Sequence, residues 1–408
     1  MKVCFETFGC RLNKAEALNM EALFLANGWT KTTDHFDADL IIVRGCSVTQ
    51  RAQRDTEKYI ARLRAKYPAK RIFTAGCIPG RTPESMIENA MRSARHDGMF
   101  ISDAVPTSTA RAFLKVQDGC NGKCSFCIVP KFRGTSISED FDSVISRAKK
   151  FLDCGYTEIV VTGCNLSMYL SEGKRLSDLL AALADIQSSG HRIRLGSLEP
   201  GPAATDVIDV IADHDNICRF LHVPIQSASS KILAEMRRPY KLSDLHALIG
   251  RAAAKIPDIS IGCDVITGFP SESDLDFSAT CEFIKNNPFS NIHAFPYSER
   301  PGTLAEKITP VVPKAVRSER ARILTSIVKD KRRSFARKFK NRKVGVVIEN
   351  ASTLSGWTSE NLWCSARSPN QPSASPKTAK INPTLARRSL VEMIVRDVEY
   401  DLLSADLA

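Results

Sequence analysis

The sequence predicts an α/β protein in three parts: an N-terminal parallel α/β domain, a central partial (β/α) barrel and a small C-terminal antiparallel β domain. Three observations lead there. The chain opens with three β-rich runs that each end in Gly-Cys. Strand-like and helix-like segments then alternate through the middle. The last stretch carries strand-like runs with no helix between them. A chain of 408 residues suits two or three domains.

The opening runs are Val3–Phe8 before Gly9-Cys10, Leu40–Val43 before Gly45-Cys46, and Ile72–Thr74 before Gly76-Cys77. Helical stretches over Asn13–Asn27 and Thr49–Lys66 follow the first two turns. Short apolar strands alternating with helices predict a parallel sheet. Parallel strands deliver their C-terminal ends to one edge. Cys10, Cys46 and Cys77 are therefore expected to meet in space. The glycine before each lets the backbone turn tightly and leaves room for a bulky group. Singly, each cysteine reads as packing; together, at equivalent turns, they read as a three-cysteine cluster site.

From Leu114 onward, strands are expected at Glu158–Thr162, Arg192–Leu195, Phe220–Val223, Ser260–Val265 and Asn291–Phe295. Helices are expected at Phe141–Asp153, Leu176–Ser188, Ser229–Met236, Leu242–Lys255 and Leu275–Asn286. This pattern suits an open or partial barrel with functional groups on the loops after the strands. Near the end, Gly345–Glu349, Asn361–Ser365 and Leu390–Tyr400 read as strands, with a Ser/Pro/Asn-rich loop over Ser368–Thr384. The expected domains are 1–105, 106–338 and 339–408.

Hydrophobic content of 43% and charged content of 25% are ordinary for a globular protein in water. No run approaches the roughly eighteen apolar residues of a membrane span, and the first residues do not read as a signal peptide. Thirteen cysteines without a secretion signal suit a reducing, cytoplasmic setting, where clustered cysteines bind metal more often than they pair. Cys4, Cys154, Cys164, Cys218, Cys263, Cys281 and Cys364 sit in apolar or strand-like surroundings and read as small buried hydrophobes. A net charge of +12 favours a polyanionic partner. The basic stretch Arg317–Lys343 reads equally as a solvated helix face or as an RNA contact.

The most specific motif is Cys120, Cys124 and Cys127, a CxxxCxxC triplet with Phe126 before its last cysteine. Three thiolates at that spacing can hold three irons of a 4Fe–4S cluster and leave the fourth open to a ligand. Four-cysteine ferredoxin runs close the cluster and only move electrons. A structural zinc site is the competing reading, but zinc wants four ligands and usually paired CxxC units. Neither triad has an evident fourth cysteine, which argues against a pure electron carrier.

With Phe126, the triplet resembles the radical S-adenosylmethionine (SAM) superfamily. In that superfamily the open iron chelates SAM, and the reduced cluster cleaves it to a 5′-deoxyadenosyl radical. The whole chain resembles the methylthiotransferases, nearest the branch acting on N6-threonylcarbamoyladenosine in tRNA. The resemblance runs through Phe5-Glu-Thr-Phe-Gly-Cys-Arg-Leu-Asn, Gly45-Cys-Ser-Val-Thr, Ala75-Gly-Cys and Gln117-Asp-Gly-Cys-Asn-Gly-Lys-Cys. It continues through Thr162-Gly-Cys-Asn, Arg192-Ile-Arg-Leu-Gly-Ser-Leu-Glu-Pro and Leu221-His-Val-Pro-Ile-Gln-Ser. Asp264-Val-Ile-Thr-Gly-Phe-Pro and His293-Ala-Phe-Pro-Tyr-Ser-Glu-Arg-Pro-Gly-Thr complete it.

The resemblance implies two 4Fe–4S clusters and SAM. Cys120, Cys124 and Cys127 would hold the SAM-cleaving cluster. Cys10, Cys46 and Cys77 would hold an auxiliary one associated with sulfur. Phe126 would pack near the adenine of SAM. Thr162, Gly163 and Asn165 stand where the superfamily binds the SAM amino group, and Ile266 and Gly268 where it approaches the adenine. An ordinary β-turn competes with each of those two readings. Glu199 and Gln226 are read as SAM or substrate contacts, and His222 and His293 as core histidines. The C-terminal segment resembles the RNA-binding TRAM domain, an OB-like barrel, with Trp357 and Trp363 as stacking candidates. The pattern dissolves after Ser368. Cys164 replaces a common aliphatic, and Ala228 and Ser271 replace common glycines.

The implied activity is transfer of a 2-methylthio group to N6-threonylcarbamoyladenosine beside the anticodon. One SAM gives its methyl group and a second gives the radical. The implied partners are a tRNA anticodon stem-loop, an external electron donor and a sulfur donor. Two alternatives stay open: the same chemistry on N6-isopentenyladenosine, and an iron–sulfur RNA-binding sensor without turnover. A third branch, acting on an aspartate of a ribosomal protein, is disfavoured by the positive charge.

Overall fold

The structure is a computed structural model that describes residues 1–93, 103–187, 190–367 and 387–408. At its N-terminal end, Lys2–Thr7, Leu40–Gly45 and Arg71–Gly76 lie parallel, with the short strand Thr30–Lys31 at one edge. Leu40, Ile41, Ile42 and Val43 are buried, as a central parallel strand covered on both faces requires. The helices Arg11–Ala26 and Gln50–Lys66 follow the first and second long strands. Thr49 caps the latter by accepting a hydrogen bond from the Ala52 N–H. A further helix, Glu84–Arg92, was not among the expected elements. Its nine residues are too few to show a strong period.

Among the described residues, the central part has six parallel strands in two sheets. Ala112–Lys115, Glu158–Thr162 and Arg192–Leu195 form one; Phe220–Gln226, Ser260–Thr267 and Phe289–Pro296 form the other. Parallel bridges at Ile193–Ile217 and Ser197–His222 join them into one open barrel. Successive side chains on a strand alternate between faces. Leu114, Val161, Leu195, Val223 and Val265 face outward into one core with the surrounding helices. On the other face, Phe113 and Val160 pack against Ala15 and Leu18 of the first helix, so the N-terminal part leans into the barrel opening. Helices Phe141–Asp153 and Leu242–Lys255 match expectation. The helix expected to run from Leu176 to Ser188 ends at Ala184. Helix Pro202–Asp213 was missed, because the Pro-Gly-Pro that introduces it reads as a loop.

Lys314–Arg337 forms a 24-residue helix that leads to the C-terminal part. There Lys343–Asn350, Ser355–Thr358, Trp363–Ala366, Leu390–Glu399 and Leu402–Leu407 form a closed barrel. The pairing is antiparallel as expected at four of the five junctions. Trp363–Ala366 pairs parallel with Leu402–Leu407, since an odd ring of strands cannot alternate direction all the way round. Ser355–Thr358 and Leu402–Leu407 were not anticipated as strands. The loop Ser368–Thr384 lies outside the described residues.

The barrel is anchored by charge. Glu158 is fully buried and pairs with Arg192 at 2.6 Å and Arg194 at 2.7 Å. Those arginines donate to the backbone carbonyls of Gly345, Trp357 and Thr358. Phe335, Ala336 and Phe339, at the end of the long helix, belong to the barrel core. Among the described residues, no helix is long and apolar enough to cross a membrane.

Candidate iron–sulfur sites

The strand ends bring Cys10, Cys46 and Cys77 together as a group. Gly45 and Gly76 are paired in register, so Cys46 and Cys77 leave the sheet side by side. Gly9 has φ +108°, and a Cβ there would stand 2.9 Å from the Cys46 sulfur. Gly76 has φ +87°, and a Cβ would stand 2.6 Å from the Gly45 carbonyl oxygen. Gly45 is needed for a different reason: its Cβ would strike Ile78 at 2.2 Å. Asn13 donates to the carbonyls of Phe8 and Gly45, tying the first helix to two of the turns. Burial raises the Cys46 and Cys77 thiol pKa values, and the neighbouring cysteines add to the rise.

Cys120, Cys124 and Cys127 share one loop, each half-buried. A Cβ on Gly122 would lie 3.2 Å from the Cys120 sulfur and 3.8 Å from that of Cys124, so this glycine keeps the space between them clear. The Gly122 N–H donates to the Cys120 sulfur and the Val129 N–H to that of Cys127. Burial, with Cys124 and Cys120 nearby, pushes the Cys127 thiol up to about 11. Thiols this crowded are stable as thiolates only with a cation among them, which is what an iron group supplies.

Each group has an arginine on a sulfur. Arg238 donates to Cys124 at 3.0 Å and also binds Glu199. Arg133 donates to Cys77 at 2.9 Å and to Asp118, Glu16 and Asn13. Asp118 stands two residues before Cys120. Arg133 thus ties Cys77 to the start of the loop that carries the triplet. Arg133 ends the helix Val129–Arg133, which starts just after Cys127. Sequence reading missed both arginines; the only signal was a basic residue shortly after a cysteine motif.

The other expected site residues fall into three sets. Phe126 and Ile266 join one apolar patch with Phe269 and Tyr297, next to the triplet loop. Asn165 approaches the Cys120 sulfur at 3.9 Å, and its buried carbonyl oxygen has no partner. Glu199 reaches the triplet through Arg238. Thr162 is buried at its strand end. Gln226 adopts φ +61° at a break in strand register. Gly163 and Gly268 have packing reasons of their own. A Cβ on Gly163 would meet Gln117 at 2.9 Å, and one on Gly268 would meet Arg317 at 2.3 Å.

Some expectations need correction. Cys154 is exposed at a helix end, and Cys164 is half-buried, donating to Asp118 at 3.4 Å. Neither lies in an apolar core, because both follow rather than lie within their elements. His222 is buried as expected, but His293 is half-exposed; both bind Asp264, at 3.0 and 3.3 Å. Trp357 and Trp363 pack edge-to-face on each other at 5.1 Å, and Trp357 lines the cavity at the barrel junction. Arg317 and Arg320, inside the basic stretch, are buried and paired with Glu299 and Glu272.

Comparison with known proteins fits this arrangement. The profile of the Radical SAM superfamily matches residues 114–284, and that of Uncharacterized protein family UPF0004 matches residues 2–95. The threonylcarbamoyladenosine tRNA methylthiotransferase MtaB of Bacillus subtilis (strain 168) is 30% identical over 385 residues, spanning 86% of this chain and 85% of that protein. The protein of the same name from Aquifex aeolicus (strain VF5) is 31% identical, spanning 87% and 94%. The chain belongs to the methylthiotransferase family of radical SAM enzymes. The tRNA-2-methylthio-N(6)-dimethylallyladenosine synthase of the same Aquifex strain is 27% identical, over 93% of this chain and 95% of its own. Among solved structures, the radical SAM methyltransferase TsrM from Kitasatospora setae shares the fold, with TM-score 0.52 at 12% identity, covering 72% of each chain.

This methylthiotransferase uses SAM and two 4Fe–4S clusters. The residues present fit them. Two sets of three thiols stand at glycine-cleared turns, each with an arginine to balance a net-negative cluster. Asn165, whose amide nitrogen reaches the Cys120 sulfur, carries a buried carbonyl oxygen without a partner, an acceptor that a SAM ammonium would suit.

Proposed function

We propose that this enzyme installs a 2-methylthio group on N6-threonylcarbamoyladenosine in the anticodon loop of tRNA. The observation that carries the reading is the pair of three-thiol groups, with Arg133 reaching from Cys77 to Asp118 at the start of the triplet loop. One site must hold SAM and the other must hold sulfur, and both must reach one carbon atom. When bound, the clusters and SAM supply the radical, the methyl group and the sulfur. The chain positions them. Cys120, Cys124 and Cys127 hold the SAM-binding cluster, and Arg238 supports it. Cys10, Cys46 and Cys77 hold the auxiliary cluster, and Arg133 supports it. Phe126 and Ile266 would offer an apolar wall to the SAM adenine, and Asn165 would offer an acceptor to its amino group.

The names of the two relatives at 30 and 31% identity support the threonylcarbamoyl substrate. The net charge of +12 suits a tRNA partner. An external electron donor and a sulfur donor complete the reaction, and a cytoplasmic setting goes with a tRNA substrate.

The test begins with nucleosides. Mass spectrometry of total tRNA from a strain lacking the gene is expected to show loss of the 2-methylthio derivative of N6-threonylcarbamoyladenosine. Its persistence, with loss of the dimethylallyl derivative instead, would reassign the substrate. Replacing Cys10, Cys46 and Cys77 with alanine should abolish methylthiolation and leave reductive SAM cleavage. A triple variant with normal methylthio product would reject the auxiliary site.

A further inference from the structure

The inner faces of three core strands run from the cluster end of the barrel to a cavity at its other end. Phe220 and His222 share a face of one strand, Asp264 precedes Ile266 on the next, and His293 precedes Phe295 on the third. Residues two apart share a face. Phe220, His222 and His293 line a cavity of about 500 Å³, bounded by Arg11 from the N-terminal part and by Trp357 from the C-terminal barrel, and Asp264 binds both histidines. Ile266, on the same strand face as Asp264, belongs to the apolar patch beside the triplet. An adenosine held between the clusters with its C2 toward them directs its N6 substituent away from them, along this face.

Several charges around the cavity are committed to carboxylates, while Lys329 lies over the Tyr400 ring, 5.6 Å from its centre. Arg111 pairs with Glu349 at 2.7 Å, and Arg332 binds Asp401. His222 and His293 share Asp264. Arg11 differs. It makes no hydrogen bond or ion pair with another described residue, and its side chain is open to solvent within the cavity. Glu158 and Asp264 attract it from a distance while Arg194 and Arg111 repel it, and both carboxylates already have closer partners. Its backbone is nonetheless fixed. It is the first residue of a packed helix and directly follows Cys10. A guanidinium set on a rigid element, facing a cavity without a partner, presents a planar fork of donors that matches a carboxylate.

We infer that Arg11 is a specificity-determining residue that binds the free carboxylate on the N6 substituent of the target adenosine, with His293 as a second donor. The inference rests on the threonylcarbamoyl reading above and deepens it. A threonylcarbamoyl group carries one carboxylate and one hydroxyl. A dimethylallyl group carries neither, and placing it here would desolvate Arg11 with nothing in return.

The experiment uses reconstituted enzyme and anticodon stem-loop RNAs that differ only at N6. The substituents are threonylcarbamoyl, its methyl ester, dimethylallyl and hydrogen. Wild-type enzyme is expected to bind the carboxylate RNA about tenfold to a hundredfold more tightly than the ester, the range of one charge-assisted contact. In Arg11→Met that ratio should fall to near one, and Arg11→Lys should restore part of it. His293→Leu, on a different element, should reduce the ratio without touching the residue beside Cys10. Equal iron content in all variants checks that the auxiliary site survives. An Arg11→Met enzyme that keeps the wild-type ratio overturns the assignment alone. A wild-type enzyme that methylthiolates only the dimethylallyl RNA overturns the assignment together with the substrate reading.

Discussion

Arg238 and Arg133 each place a cation on a cysteine sulfur, and neither belongs to a cysteine motif. Hydrogen bonds to cluster sulfurs are among the factors that set reduction potential. Removing one donor leaves more charge on the sulfur and makes reduction harder. Arg238→Met is therefore expected to keep its iron yet lower the potential of the SAM-binding cluster by on the order of 60 mV, the one-electron equivalent of a tenfold change. Production of 5′-deoxyadenosine should slow with it. A redox titration followed by electron paramagnetic resonance reads the shift; an unchanged potential would leave Arg238 with a packing role only. A second contrast concerns free thiols. Burial, helped by Asp118, raises the Cys164 pKa well above the usual thiol range, whereas Cys154 is exposed. Brief alkylation near neutral pH should label Cys154 and spare Cys164, as peptide mapping would show.

Among the elements, the loop before Cys120 tolerates little. Gly119 has φ +67°, and a Cβ there would lie 1.9 Å from the Thr135 carbonyl oxygen. Gly119→Ala should displace the triplet and cut bound iron to about half, since one of two equal clusters goes; iron assay decides it. The helix Arg11–Ala26 is held in the barrel opening partly by Glu16, which pairs with Arg133 at 2.9 Å and Lys115 at 2.8 Å. Burial opposes its ionisation, but those partners outweigh burial and hold its pKa down to about 2 from an ordinary 4.5. A lowered pKa means that this support is whole above the ordinary value and is lost as pH falls through the lowered one. Thermal unfolding of the cluster-free protein should drop between about pH 5 and about pH 2 by more than in Glu16→Gln, which lacks the titrating group. Parallel curves for the two proteins would remove Glu16 from the docking.

Legibility from sequence followed these same elements. Glu158–Thr162, Arg192–Leu195, Phe141–Asp153 and Leu242–Lys255 have the bounds their periodicity suggests, because burial on one or both faces writes a clear pattern. The two cysteine groups were visible because strand-end position and loop spacing are local. Arg133, Arg238 and Arg11 were not, because their meaning depends on what the fold sets opposite them. The basic stretch Arg317–Lys343 misled in part for the same reason: a buried, paired arginine and a solvated one look alike in a sequence.

At the scale of the molecule, the C-terminal barrel is an anchored part of the enzyme. Removing Lys343–Ala408 would uncover Phe335 and Phe339 and strip Arg192 and Arg194 of their carbonyl acceptors. A buried charge group that loses its partners is strongly destabilising. The truncated protein is expected to unfold at lower temperature and to lose SAM cleavage as well as any tRNA affinity. Retention of full SAM cleavage by a folded truncation would show that the Glu158 network does not depend on the barrel. Trp357, turned into the junction, is expected to affect stability on replacement by alanine before it affects RNA stacking.

The in-register pairing of Gly45 with Gly76 also acts as a ruler. The ladder of backbone bonds, and not the iron, sets how far apart Cys46 and Cys77 can stand. Slipping one strand by a single residue would turn its side chains to the opposite face and carry its thiol out of reach. Changes of length are therefore unequal in effect along this chain. An extra residue in the turn between Lys66 and Arg71 is absorbed at the surface, while one inside Leu40–Gly45 changes the gauge of the site itself.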